Sequence, residues 1–140
     1  MPGNRTLTII KPDAFAASKA GLILAHLEQR GFRIIAARVM KLSRAQAGEF
    51  YSVHDGRPFY PDLVDFMTSG HCMPVVLERD NAVVALRDAI GATDPAEAAA
   101  GTVRKLYAES KGRNAIHASD SDENAAREAR FFFAETDLIG

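Results

Sequence analysis

Polar and apolar positions alternate through Thr6-Leu7-Thr8-Ile9-Ile10, and the run is closed by Lys11-Pro12-Asp13. Period-two alternation with β-branched residues predicts a strand, and the X-Pro step ends it in a loop. From Ser18 to Arg30 the period changes. Leu22, Ile23 and Leu27 recur at helical spacing, with Leu24 at the edge, and Gly31 supplies the stop. Phe32 to Leu42 is β-branched and apolar with basic residues interspersed, a second strand. Ser43 is placed to cap a short helix over Arg44 to Val53. The loop His54-Asp55-Gly56-Arg57-Pro58 leads to another short helix around Tyr60 to Thr68, and the two form a helical hairpin.

Met73 to Glu78 reads as the third strand, with Pro74 near its start because proline cannot donate to a sheet ladder. Asn81 to Ile90 is a helix with Asn81 as its cap and Gly91 as its stop. Gly91 to about Arg113 is rich in Ala, Gly and Pro. It predicts a long loop with one helical turn near Val103 to Glu109, and loops of that length in small domains are usually functional. Ala115 to His117 is a short last strand, and Ser121 caps a helix through Phe132. The βαββαβ core implies an α/β fold of the α+β type: a ferredoxin-like sandwich on a four-stranded antiparallel sheet. The helical hairpin and the long loop before His117 are additions to that core.

Composition narrows the classes. The 140 residues are 47% hydrophobic and 25% charged, enough for one cored domain spanning 1–140. A formal net charge of −1 gives no global attraction to nucleic acid or to an anionic membrane, so a polyanion must be met by local Lys and Arg. One cysteine, Cys72, excludes an internal disulfide framework and a multi-cysteine zinc site, and fits a reducing compartment. There is no apolar leader, and no apolar run approaches the roughly 20 residues of a membrane span. The expectation is a soluble cytoplasmic protein.

The chemistry concentrates in Asn114-Ala115-Ile116-His117-Ala118-Ser119-Asp120-Ser121, where an imidazole lies between a carboxamide and a group of hydroxyls and carboxylates. Glu128, one helical stretch later, can reach back to a ring nitrogen. A carboxylate on one nitrogen fixes the tautomer and leaves a lone pair on the other, the requirement for a nucleophilic histidine. His26, His54 and His71 have no such company and no metal-ligand spacing, and read as structural. Lys11, Arg87 and Arg104, with Arg113 nearby, are surface charges taken singly. Converging on His117 they would suit phosphoryl transfer, whose catalytic task is positioning and neutralising charge. No glycine-rich phosphate loop is present, so side chains would have to hold the phosphates. Tyr51 and Phe59 read equally as core packing or as a base-stacking face with a hydroxyl near the reacting phosphate.

Taken together these segments resemble the nucleoside diphosphate kinase family over essentially the whole chain. The resemblance lies in Ile9-Ile10-Lys11-Pro12-Asp13, Phe50-Tyr51, Arg57-Pro58-Phe59, Phe66-Met67-Thr68-Ser69-Gly70, Gly91-Ala92-Thr93-Asp94-Pro95, Gly101-Thr102-Val103-Arg104 and Asn114 through Ser121. It implies a ping-pong transfer in which His117 carries the γ-phosphate of a nucleoside triphosphate to a nucleoside diphosphate. It further implies that Glu128 orients the imidazole with Ser119 in support and that Tyr51 lies beside it. Lys11 and Asn114 would meet sugar and phosphates, Arg87, Thr93 and Arg104 the phosphates, and Phe59 the base. Stacking tolerates any base, so ATP, GDP and other nucleotides are expected substrates. Mg²⁺ would ride on the phosphates with few or no protein ligands. Homo-oligomers built from dimers, tetramers or hexamers, are expected. The apolar first helix and the second strand would form the dimer surface, and the long loop and tail Thr136 to Gly140 would influence higher assembly.

Four places depart from the family's usual pattern. Ala118 replaces Gly after the histidine, and a methyl group there opposes positive φ. His71-Cys72-Met73-Pro74 replaces a Pro-Val-Val start, Arg79 replaces a turn glycine, and Lys105-Leu106 replaces Gly-Asp. None removes a reacting group. Two other classes compete with the kinase reading. A non-catalytic module would show damage at His117, Lys11 or the arginines. A phosphocarrier or histidine phosphatase would not need Phe59, Asn114 and Thr93 placed for a nucleoside.

Overall fold

The fold is given by a computed structural model that describes residues 3–138; Met1, Pro2, Ile139 and Gly140 lie outside the described residues. Part of the tail expected to influence assembly therefore falls outside them. The sheet order is β2-β3-β1-β4, with β1 at Arg5–Ile10, β2 at Arg33–Ala37, β3 at Met73–Glu78 and β4 at Ile116–Ala118. Every neighbouring pair is antiparallel. This is the four-stranded α+β arrangement expected from the order of elements.

Helices cover both faces. The α2 helix (Ala20–Gln29) and α5 (Ala82–Ile90) pack with Ile10, Leu77 and Ile116 on one side. The other side holds α3 (Arg44–Phe50), α4 (Tyr60–Met67) and α7 (Asp122–Phe132), packed with Leu7, Ile9 and Val76. Successive residues of β1 and β3 thus enter opposite cores, which is why β3 is apolar through Met73 to Leu77 and why Thr6 and Thr8 of β1 are buried as well as its apolar residues. Each such fully buried Leu or Ile contributes about 1.5–3 kcal/mol over leaving it in water.

Local signals account for several boundaries. Ser43 accepts from the Gln46 N–H at 3.1 Å while the Gln46 side chain accepts from the Ser43 N–H at 2.9 Å, a capping box opening α3. Ser121 accepts from the Asn124 N–H at 3.0 Å at the start of α7. Gly91 ends α5 at φ 88°, and a Cβ there would lie 2.6 Å from Thr102 Oγ1.

Other expectations are corrected. Lys11-Pro12-Asp13 is not only a loop closing β1: Pro12 starts α1 (Pro12–Ala16), at the position where a missing N–H leaves no helical bond unmade. The second strand stops at Ala37 instead of Leu42, after a bulge between Ile34 and Ala36, and only the bridge Met40↔Cys72 continues it. The helix read as Arg44 to Val53 ends at Phe50, and a 3₁₀ turn takes Ser52–His54. Asn81 stands at the N-cap in the left-handed region with no side-chain cap; the Gly3 carbonyl accepts the Ala82 N–H instead, at 3.1 Å. The turn near Val103 to Glu109 is α6 (Val103–Tyr107), and the last strand begins at Ile116, not Ala115.

Candidate active site

Period-two alternation in β4 buries Ile116 and Ala118 in one core and turns His117 to the face that carries α3 and α7. There His117 lies opposite Ile9 of β1, its carbonyl accepting from Thr8 Oγ1 at 2.7 Å. Glu128 is on the buried stripe of α7 with Ala125, Ala129 and Phe132. Its Oε1 lies 2.7 Å from His117 Nε2 and also accepts from Ser119 Oγ at 2.9 Å. A carboxylate oxygen holding both contacts assigns the ring proton to Nε2. Nδ1 makes no hydrogen bond to a described residue.

Two rings confine the imidazole edge-on: Phe50 at 5.5 Å and Tyr51 at 6.1 Å between centroids. Tyr51 is buried, and its hydroxyl has no partner among the described residues. Burial pushes that phenol's pKa up, as does the nearby Glu128 charge. Burial likewise pulls the His117 pKa below the usual histidine value; Glu128 opposes this, and Lys11 and Arg104 add to it. The imidazole is therefore neutral at pH 7, with its lone pair on Nδ1.

The cations arrive from distant segments. Lys11, at the end of β1, is buried, and its Nζ donates to Asn114 Oδ1 at 2.9 Å. Asn114 Nδ2 in turn donates to the Thr93 carbonyl at 3.3 Å. Burial, and then the Arg104 charge, lower the Lys11 pKa to about 8 against the pull of Asp13. Arg104 on α6 donates to the Ile116 carbonyl at 2.8 Å and the Gly91 carbonyl at 3.1 Å, which leaves Nε unpartnered. Burial and then Arg87 bring its pKa down to about 10, so it stays charged. Arg87 on α5 is exposed and reaches the Ala118 carbonyl at 3.4 Å. With His117 and Arg87, a cleft of about 650 Å³ is lined by Tyr51, His54 and Asp120.

Phe59 is 49% exposed and sits 5.1 Å from His54 between ring centroids, so it is not core. Tyr51 is core and borders the histidine as well. Arg113 is not brought to the cleft: it pairs with Glu109 at 2.8 Å and lies over Phe66. His54, read from sequence as structural, lines the cleft on the 3₁₀ turn after Tyr51. The three-residue spacing from Tyr51, one turn of such a helix, was the signal for it.

Three of the departures are absorbed, while Lys105-Leu106 stands exposed on α6. Ala118 lies in β4 opposite Thr8, outside the left-handed region that favours glycine. Arg79 donates to the Arg30 carbonyl at 2.6 Å and covers the Phe32 ring. Cys72 and Pro74 are buried.

Fold and site together define an α+β nucleotide phosphotransferase with a neutral histidine among cations. The family model described as nucleoside diphosphate kinase matches residues 4–138, and the chain belongs to that family. It is 58% identical to the nucleoside diphosphate kinase of Chlorobium chlorochromatii (strain CaD3) over 136 residues, 97% of each chain. The solved Aquifex aeolicus nucleoside diphosphate kinase superposes with a TM-score of 0.95 at 43% identity, covering 97% of this chain and 99% of that one. A halophilic nucleoside diphosphate kinase from Halobacterium salinarum, in complex with CDP, gives 0.93 at 34%, covering 99% and 92%. The protein is accordingly an enzyme that moves a terminal phosphate between nucleoside tri- and diphosphates by a ping-pong route, and it needs a divalent cation. Among the described residues no helix is long and apolar enough to cross a membrane.

Proposed function

We propose that His117 is the group phosphorylated in each half-reaction, through Nδ1. The observation that carries this reading is the 2.7 Å contact between His117 Nε2 and Glu128, which directs the lone pair to Nδ1. The Nδ1 lone pair attacks the γ-phosphorus of ATP or another triphosphate, and the bond from phosphorus to the β–γ bridging oxygen breaks. The diphosphate leaves with that electron pair. GDP or another diphosphate then attacks the phosphohistidine, and the electron pair returns to Nδ1. Glu128 stabilises the imidazolium character that develops, and Ser119 keeps the carboxylate in place.

Lys11, Arg87 and Arg104 would neutralise the phosphates, with Thr93 and Asn114 as polar contacts and the unpartnered Tyr51 hydroxyl facing the transfer. Phe59, exposed beside His54, suits an unselective base platform. No group of three or more His, Cys, Asp or Glu among the described residues could hold a metal ion. Mg²⁺ would ride on the nucleotide phosphates, with Asp120 the carboxylate beside Arg87 to meet it. It would screen phosphate charge against the incoming nucleophile. We further propose one domain over 1–140, a cytoplasmic location, and dimers through α2 and the open edge of β2 that build tetramers or hexamers.

The test is a two-step labelling experiment. Protein incubated with γ-labelled ATP and Mg²⁺, then freed of nucleotide, should carry acid-labile, base-stable phosphate and yield labelled GTP when GDP is added. Bound nucleotide without protein-borne label would overturn the phosphohistidine reading.

The pH dependence follows from the site. His117 must be neutral and its pKa is lowered, so the acid limb of kcat/KM should lie below the ordinary histidine value of about 6.5. Lys11 must be protonated and titrates at about 8, so the alkaline limb should fall there. A kcat/KM profile that stayed flat from pH 7 to 10 would overturn the assignment of the alkaline limb to Lys11.

A further inference from the structure

Immediately before β4 the chain takes a conformation that its residue resists. Ala115 has φ 74°, and the Ile116 N–H donates to the Asn114 carbonyl at 2.9 Å. A bond to the residue two back, across a centre with positive φ, is the strained form of the γ-turn, and strain persists only where the surroundings over-determine it. Here the turn is held from outside on both sides. Asp13 Oδ2 accepts the Ala115 N–H at 3.0 Å, and the Ala115 carbonyl accepts the Lys11 N–H at 2.8 Å.

Asp13 is an uneconomical choice if the fold alone is at stake. It is buried at 6% exposure, and its Oδ1 has no partner among the described residues. Burying a carboxylate with an unmatched oxygen is unfavourable, whereas a smaller neutral acceptor could take the same N–H. The position of the turn suggests why it is kept. Asn114, whose carboxamide meets Lys11 Nζ, enters it; His117 follows two residues after its centre. The same backbone reversal aims a nucleotide contact and the nucleophile.

We infer that Asp13 is a positioning residue for phosphoryl transfer: by clamping the strained turn at Ala115 it holds Asn114 and His117 in one mutual geometry. This rests on His117 being the phosphorylated group. Asp13 itself touches neither substrate nor the reacting atoms.

The experiment is a single-turnover measurement of phosphoenzyme formation from γ-labelled ATP and Mg²⁺, paired with thermal melting. It compares the wild type with Asp13→Ala, Asp13→Asn, Ala115→Gly and the double variant Asp13→Ala/Ala115→Gly. A displacement of about 1 Å at a reacting group can cost roughly 10²-fold, and that is the loss expected for Asp13→Ala. Asp13→Asn keeps an accepting oxygen and should stay within about tenfold of the wild type. Glycine takes positive φ without strain, so the double variant should recover about tenfold or more over Asp13→Ala, a non-additive cycle. Ala115→Val offers an independent check, since a β-branched residue resists positive φ; it should slow labelling with Asp13 intact, even if Asp13→Ala does not fold.

An Asp13→Ala loss that is just as large when Ala115→Gly is already present would reduce Asp13 to a structural residue. Wild-type labelling by Asp13→Ala with only a lowered melting temperature, or wild-type labelling by Ala115→Val, would do the same. Failure of the wild-type protein to take label is a different outcome, and would overturn the His117 assignment instead.

Discussion

Replacing His117 with alanine should leave a protein that binds nucleotide and transfers no phosphate. On the proposed reading the His117 imidazole supplies the lone pair. Tyr51 is buried with its phenol pKa raised, Ser119 is committed to Glu128, and His54, though in the cleft, has no carboxylate on its ring among the described residues. The proposed binding groups are separate side chains on other elements: Lys11 ends β1, Arg87 is on α5 and Arg104 on α6. A drop in turnover of roughly 10⁴-fold or more, with nucleotide affinity changed only a few-fold, is the expected pattern for a lost nucleophile. Equilibrium nucleotide titration beside a coupled assay checks it. Substantial remaining turnover would mean that another group carries the phosphate. The fold should survive, since removing the ring leaves the Phe50–Phe132 packing in place.

Arg104→Ala should instead weaken binding and rate together. The guanidinium is buried with an unpartnered Nε, and its other nitrogens grip the carbonyls of Gly91 and Ile116. It ties the long loop to the strand bearing His117, and on the proposed reading it would also bring positive charge to the phosphates. Loss of one preorganised donor of this kind typically costs about 10²–10³ in rate. A further loss of affinity should accompany it, because ground-state phosphate binding uses the same charge. Arg104→Lys should recover only part of this, since an ammonium group cannot fork between two carbonyls. Unchanged kcat and KM for Arg104→Ala would show that the residue serves the loop alone.

Much of this was legible in the sequence because it is local. A period-two run defines β1 and a continuous apolar run β3, and Ser43, Ser121 and Gly91 mark helix ends by their own hydrogen bonds or φ. The segment Asn114 to Ser121 names its histidine by composition, and Glu128 lies within reach along the next helix. The five-residue α1 and the three-residue β4 are too short for a period to register, so the pattern shows a loop at α1 and places β4 one residue early. Asn81 has the identity of a cap but the backbone of a left-handed turn, and identity alone cannot tell the two apart.

What the chain determined by itself is the alternation that makes a two-faced sheet and the set of residue types that phosphoryl transfer requires. Which of those residues meet was decided by the tertiary structure. Lys11 reaches Asn114 across 103 positions only because β1 and β4 pair. Arg113, one residue from Asn114, turns away to Glu109, while His54 is carried into the cleft by the turn after Tyr51. The strained turn at Ala115 is likewise held from far along the chain, by the Asp13 carboxylate 102 residues away and by the Lys11 N–H. Periodicity is a property of neighbours along the chain. Convergence and strain come from packing between segments far apart in it, where burial outweighs local preference.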